Sequence, residues 1–163
     1  MKLSSTITAA ALFAVTLFTL TASAGYAGTI RLGMTPEPYM PFTQINQAGI
    51  WEGFEADLTQ AVFEKMGIEH KISQMAWEGL IPSLTANKVD FIIGAFSITE
   101  ERRKVVDYEV KHEAPANAIL GEGIGYAVRK GDTATLDKID AALAALEKDG
   151  SLDTMVQKWF PSK

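Results

Sequence analysis

The stretch FIIGAFSITEERRK, Phe91–Lys104, passes from an apolar run into two hydroxyls, two adjacent acids and three successive bases. A run as uniformly apolar as Phe91–Ala95 suits a central strand buried on both faces. The charged corner then lies just beyond that strand's carboxyl end, the edge at which open α/β folds bind ligands. Thr99 stands where a helix N-cap belongs and Glu100 begins a helical turn, so unpaired amides and the helix dipole would favour an anion there. Arg102 adds a planar fork that can hold a carboxylate through two bonds, and Ser97 adds a hydroxyl. On spacing alone the same residues also fit a capped, solvated helix start in which Glu100 pairs with Lys104, a contact worth about 0.3 kcal/mol.

On the N-terminal side, TIRLGMT (Thr29–Thr35) is a short β-type run, and the proline-rich PEPYMPF after it reads as a loop. Phe54, Leu58, Ala61 and Val62 then share one helical face, with Gly67 placed to end the helix. HKISQM (His70–Met75) is a second strand, and WEGLIPSLTANKVD a short helix that tolerates Pro82 near its first turn. On the C-terminal side GYAVRKGD offers another strand. Leu136, Ile139, Leu143 and Leu146 form one helical stripe with Asp132 as N-cap and Gly150 as stop, and Ser151 is expected to cap a last helix carrying Leu152, Met155, Val156 and Trp159. Strands alternating with helices define an α/β fold, a doubly wound, mostly parallel sheet with helices on both faces.

The first residues differ from the rest. Lys2 precedes an uncharged Ser/Thr/Ala/Leu/Phe run, Ile7–Leu20, and then TASAGYAG. A basic start, an apolar run shorter than a membrane span and small residues before the expected cut identify a secretory signal peptide, residues 1–24, with cleavage after Ala24 or Ala27 fitting equally well. The alternative is an uncleaved anchor. Cysteine is absent from the 163 residues, so neither a disulfide framework nor a lipidated cysteine is available. The whole chain carries a net charge of −5; removing Lys2 leaves 14 bases against 20 acids, or −6. That balance argues against a nucleic-acid partner. A periplasmic protein is the expectation, with residues 28–163 forming a single lobe.

Tyr39, Phe42 and Trp77 fit either core or rim positions. The loops that carry Tyr39 and Trp77 follow the first and second strands, so both rings should emerge beside Ser97 and could wall an apolar pocket. His70 and His112 lack metal-ligand spacing and a nucleophile partner, and the glycines of GEGIG (Gly121–Gly125) are not followed at once by a helix, as a phosphate-cradling loop requires. No enzyme chemistry, metal or cofactor is expected.

Taken together, YMPF, GIWEGFEADL, AWEGLIPSLTANKVDFIIGAFSITEERRKVVDY and GYAVRKGD with LDKIDAALAALEKDGSLDTMVQKWF closely resemble the extracellular solute-binding proteins of polar amino acid ABC transporters, family 3 type. In that family two α/β lobes close on an amino acid. The resemblance implies one lobe of a type II periplasmic binding protein in which Arg102 and Ser97 hold the ligand's α-carboxylate. It further implies that the backbone at Gly94 and Ala95 meets the α-amino group and that Tyr39 and Trp77 flank the ligand. Glu37 lies near a position where some members place an acid, in a register blurred by Pro36 and Pro38.

The family's chain leaves the first lobe after a VVDY-like segment, builds a second lobe and returns through a GYAVRKGD-like one. Here EVKHEAPANAILGEG (residues 109–123) stands in that place, so residues 28–108 and 125–163 are expected to form one lobe joined by a junction at 109–124. A lone lobe covers one side of its ligand, and binding should be weak, because each 1.4 kcal/mol lost costs about tenfold in affinity. Two roles follow from the resemblance: binding of a small amino acid-like solute for ABC-type uptake, or an interaction module that meets a permease or forms a homodimer through the open cleft face.

Overall fold

A computed structural model describes residues 28–109 and 124–161. The expected signal peptide and most of the expected junction, with His112 and Gly121–Gly123, therefore lie outside the described residues.

Among the described residues, β1 (Ile30–Met34), β4 (His70–Gln74), β5 (Phe91–Ser97), β6 (Val106–Glu109) and β7 (Ile124–Arg129) form one sheet in the order β4-β1-β5-β7-β6. β1 pairs in parallel with both β4 and β5, whereas β7 runs antiparallel to β5 and β6. The sheet is thus mostly parallel with one reversed strand. That strand joins the two sides of the junction: Val106 faces Arg129 and Glu109 faces Tyr126, so the segment before the junction and the segment after it are ladder neighbours. A small hairpin not foreseen from the sequence, β2 (Gln44–Ile45) with β3 (Trp51–Glu52), extends the loop after β1.

Helices cover both faces, as the alternation of elements requires. α1 (Phe54–Met66), α4 (Thr133–Lys148) and α5 (Ser151–Trp159) pack on one face against Ile30, Leu32, Met34, Phe91, Ile93, Tyr126 and Val128. The opposite face buries Ile92, Phe96 and Ala127 under a 3-10 turn at Trp77–Gly79, α2 (Leu80–Thr85) and α3 (Glu100–Arg103). The strict alternation of β5 residues between the two cores is what its apolar run anticipates. Gly67 ends α1 in the left-handed conformation, and the Asp132 side chain accepts from the Thr135 amide at 3.2 Å, both as expected. The cap of the last helix differs. Ser151 is its first helical residue, Gly150 is the N-cap with φ 77°, and the Asp149 carboxylate accepts from the Ser151 amide at 3.0 Å. The left-handed turn that links α4 to α5 suits glycine, which leaves the serine inside the helix.

The amino end of the sheet is tied by charge. Asp90 accepts from the Arg31 amide (3.0 Å), Nε (2.9 Å) and Nη2 (2.7 Å), and Arg129 Nη1 approaches at 3.5 Å. These contacts, the Arg31 side chain first, hold the Asp90 carboxyl below its ordinary 3.8.

The entry to α1 decides where its first turn sits. The amides of Phe54 and Glu55 donate to the carbonyls of Pro41 and Phe42, each at 2.9 Å, so the loop after β1 takes up donors that a helix start leaves orphaned. This close approach requires glycine before it: Gly53 has φ 124°, and a Cβ there would lie 2.3 Å from the Phe42 carbonyl oxygen. Gly53→Ala is expected to lower the unfolding free energy by at least about 2 kcal/mol, combining a forbidden contact with a strained backbone. Urea unfolding of the two proteins side by side measures it.

Candidate functional site

The carboxyl edge of the sheet opens into a pocket of about 390 Å³ lined by Thr35, Glu37, Pro38, Tyr39, Thr43, Trp77, Gly94, Ala95, Ser97 and Arg102. All six residues singled out from the sequence, Tyr39, Trp77, Gly94, Ala95, Ser97 and Arg102, meet there, and so does Glu37. Three separate stretches of chain contribute because β1, β4 and β5 run in the same direction and release their following loops at one edge.

Each wall has a local cause. The Glu37 carboxylate accepts from the Trp77 amide at 3.4 Å, tying the loop after β1 to the turn after β4. Trp77 in turn stacks on Phe96, with ring centroids 4.5 Å apart and planes 20° apart. Its ring covers Gly94 so closely that a Cβ on that residue would lie 2.9 Å from the Trp77 ring. Tyr39 stacks on Phe42 at 5.3 Å and remains 51% exposed, so it is a rim aromatic while Phe42 is core.

Arg102 stands over this wall, its guanidinium carbon 5.8 Å from the Trp77 ring centre and 5.6 Å from that of Phe96. Nη1 donates to the Ser97 carbonyl at 2.8 Å, which fixes the direction of the fork. Among the described residues the rest of that fork has no hydrogen-bond partner, leaving donors for an anion at the rim. Thr99 is the N-cap as expected, and its hydroxyl takes the Arg102 amide at 3.2 Å. Because α3 spans only Glu100–Arg103 and that amide is occupied, the anion-attracting element here is the guanidinium rather than a helix terminus.

The floor of the pocket is a defect in β5. Between the pairs Ile92 with Ala127 and Phe96 with Gly125, residues 93–95 of β5 stand opposite Tyr126 alone, and the ladder to β1 ends at Ile93. Such a bulge bends a strand and frees backbone groups from pairing. Ala95 has φ 49°, a conformation that costs a residue with a Cβ about 1–2 kcal/mol. Its amide donates to Glu55 Oε1 at 2.6 Å. The resemblance assigned the backbone of Gly94 and Ala95 to a ligand's amino group; an ammonium group donates, so the carbonyl oxygens are the backbone groups that can accept from it.

Glu55 was not among the expected site residues. Its signal in the sequence was an acid on the buried face of α1, beside Leu58, Thr59 and Val62. Only 4% exposed, it is pushed up to about 7 from the ordinary 4.5 by burial, against the opposing pull of the Ala95 amide. Its Oε2 and the hydroxyls of Tyr126 and Thr43 are buried without a hydrogen-bond partner among the described residues. Thr43 also lines the pocket, and neither it nor Thr35 was expected from the sequence. His70 begins β4 and stacks on Phe63 at 4.4 Å, away from this edge. Among the described residues, no group of three or more His, Asp or Glu side chains could hold a metal ion.

Residues 30–162 match the family of bacterial extracellular solute-binding proteins, family 3, and the chain belongs to that family. It is similar to the L-arginine-binding protein of Pseudomonas aeruginosa, with 34% identity over 58% of this chain and 36% of that protein. It also resembles the octopine-binding periplasmic protein of Rhizobium meliloti, at 34% identity over 59% of this chain and 30% of that one. The chain spans about a third of the length of these curated relatives. A solved structure described as the arginine-bound form of domain 1 from TmArgBP shares 38% identity, with a TM-score of 0.66 over 73% of this chain and 94% of that one. An ancestral arginine-binding protein bound to glutamine, at 23% identity and TM-score 0.72, covers 83% of this chain and 99% of its own and shows the same fold.

The buried acid makes stability depend on pH. A carboxyl whose folded pKa lies above its unfolded one stabilises the fold in its neutral form; that contribution is full below 4.5 and is lost as pH rises through about 7. The total loss is on the order of 3 kcal/mol, at 1.4 kcal/mol per unit. Chemical denaturation from pH 5 to 8 should show wild-type stability falling with pH and Glu55→Gln following a flatter line.

Proposed function

We propose that this lobe binds a free amino acid in the pocket at the carboxyl edge of its sheet. The ligand's carboxylate lies on the Arg102 fork and the Ser97 hydroxyl, its ammonium group on backbone carbonyl oxygen at Gly94–Ala95, and its side chain between Tyr39 and Trp77. The observation that carries this reading is the meeting of those six residues in one cavity. Glu37 on the same wall favours a cationic side chain, in keeping with the relatives named for arginine and octopine. A single lobe of related sequence has been described with arginine bound, so a half-site can hold such a ligand. With one side open, affinity belongs in the high micromolar to millimolar range, about −4 to −5 kcal/mol.

Presentation of a solute to an ABC permease in the periplasm is the physiological role this reading supports, since relatives carry the words periplasmic and binding in their names. A second reading is favoured by Tyr39 and Met40, 51% and 43% exposed beside the pocket. Such a rim suits association with a sister lobe or a permease without ligand transport. Sedimentation at rising concentration separates the two, because a ligand-indifferent dimer supports the second.

Isothermal titration or ligand-detected NMR with a panel of amino acids tests binding. Arginine or lysine is expected to bind and glutamate not; Arg102→Ala should weaken the bound amino acid at least tenfold, the loss of about 1.4 kcal/mol or more from a charge-assisted contact. No response from any amino acid would overturn the reading. Gly94→Ala should also weaken binding, because its methyl group must displace the Trp77 ring from a 2.9 Å approach. Near-ultraviolet circular dichroism of the tryptophan band reports that displacement without ligand.

A further inference from the structure

Glu55 does not itself line the pocket, yet it bonds directly to a residue of the pocket floor, Ala95. It takes the amide of Ala95 at 2.6 Å, at a residue in the left-handed region that, like Gly94, is paired with neither β1 nor β7. Glu55 comes from α1, on the face of the sheet opposite Trp77. In a trans peptide the N–H and the C=O of one unit point to opposite sides. The Ala95 amide directed at α1 therefore turns the carbonyl of Gly94 away from α1, toward the cavity that Gly94 lines without a side chain of its own. Burying a carboxyl with one oxygen unpartnered is unfavourable for packing, and an apolar side chain of similar size would fill the space without that cost.

We propose that Glu55 is the positioning residue of the ligand site: by holding the Ala95 amide it locks the 93–95 bulge with the Gly94 carbonyl facing the pocket, where that oxygen accepts the ligand's α-ammonium group. The inference rests on the amino acid-binding reading above and adds to it the source of the ammonium acceptor. The position of the α1 first turn, fixed by Gly53 and the Pro41 and Phe42 carbonyls, becomes part of the binding geometry.

The test compares Glu55→Gln, which keeps an acceptor for the amide, with Glu55→Leu, which removes it. Amide hydrogen exchange at Ala95 is followed by NMR without ligand, and two probes are titrated: L-arginine, and 5-guanidinopentanoate, which keeps the carboxylate and guanidinium but lacks the α-ammonium. Slow exchange at Ala95 is expected in wild type and Glu55→Gln, with loss of protection in Glu55→Leu. Arginine affinity should stay within threefold in Glu55→Gln and fall tenfold or more in Glu55→Leu, while affinity for 5-guanidinopentanoate changes less than threefold. Equal losses for both probes would assign Glu55 a merely structural role and overturn the proposal, as would arginine binding unchanged in Glu55→Leu. If Glu55→Leu does not fold, Glu55→Gln and wild type still decide: fast exchange at Ala95 in wild type, or arginine binding lost in Glu55→Gln, overturns it. A wild-type lobe that binds no amino acid refutes the binding reading and the ammonium contact with it, while Ala95 exchange then reports separately on whether Glu55 holds the bulge.

Discussion

Strand β5 is paired with β1 as far as Ile93 and with β7 on either side of residues 93–95, and the loss of both ladders at residues 94–95 shapes the rest of the lobe. A sheet interior offers a ligand no hydrogen bonds, because every backbone group is already paired. The bulge releases a few of them at the centre of the sheet edge, and the contact from Ala95 to Glu55 chooses which remain available. Gly94 then serves twice, letting the Trp77 ring close onto the strand and presenting backbone where another residue would present a side chain.

The two ends of the sheet have opposite characters. At the amino end Asp90 gathers Arg31 and Arg129 into a network that joins β1, β5 and β7, and the strands begin in register. At the carboxyl end, among the described residues, Arg102 and Glu37 have no oppositely charged hydrogen-bond partner: Arg102 gives one donor to a carbonyl, and Glu37 accepts from a backbone amide. The Asp90 ion-pair network lies at one edge and the candidate ligand groups at the other, the division expected of an open α/β layer.

The pairing of β6 with β7 explains how segments from either side of residues 110–123 make one lobe. β7 lies between β5 and β6, so the C-terminal stretch enters the sheet as an inner strand rather than being appended to its edge. α4 and α5 then complete the face that α1 begins, through Ile139, Leu143, Leu146 and Leu152. Domain 1 from TmArgBP, of similar fold at 38% identity, shows that a lobe of this design is a workable unit in a relative.

Much of this was legible in the chain itself. The α/β alternation, the two-faced burial of Phe91–Ala95, the Thr99 and Asp132 caps and the convergence of Tyr39, Trp77, Gly94, Ala95, Ser97 and Arg102 all follow from local periodicity, capping chemistry and the resemblance that those motifs carry. The reversed direction of β7, the bulge opposite Tyr126 and the seat of Glu55 did not, because each is decided by partners distant in sequence. An apolar run does not record which way its neighbour runs, and a single acid on a helical stripe does not name the amide it will meet. The sequence by itself determined which residues reach the carboxyl edge of the sheet, since side-chain type and spacing act locally; only the tertiary structure decided which backbone groups are left unpaired there, since that depends on ladders that form or fail between strands.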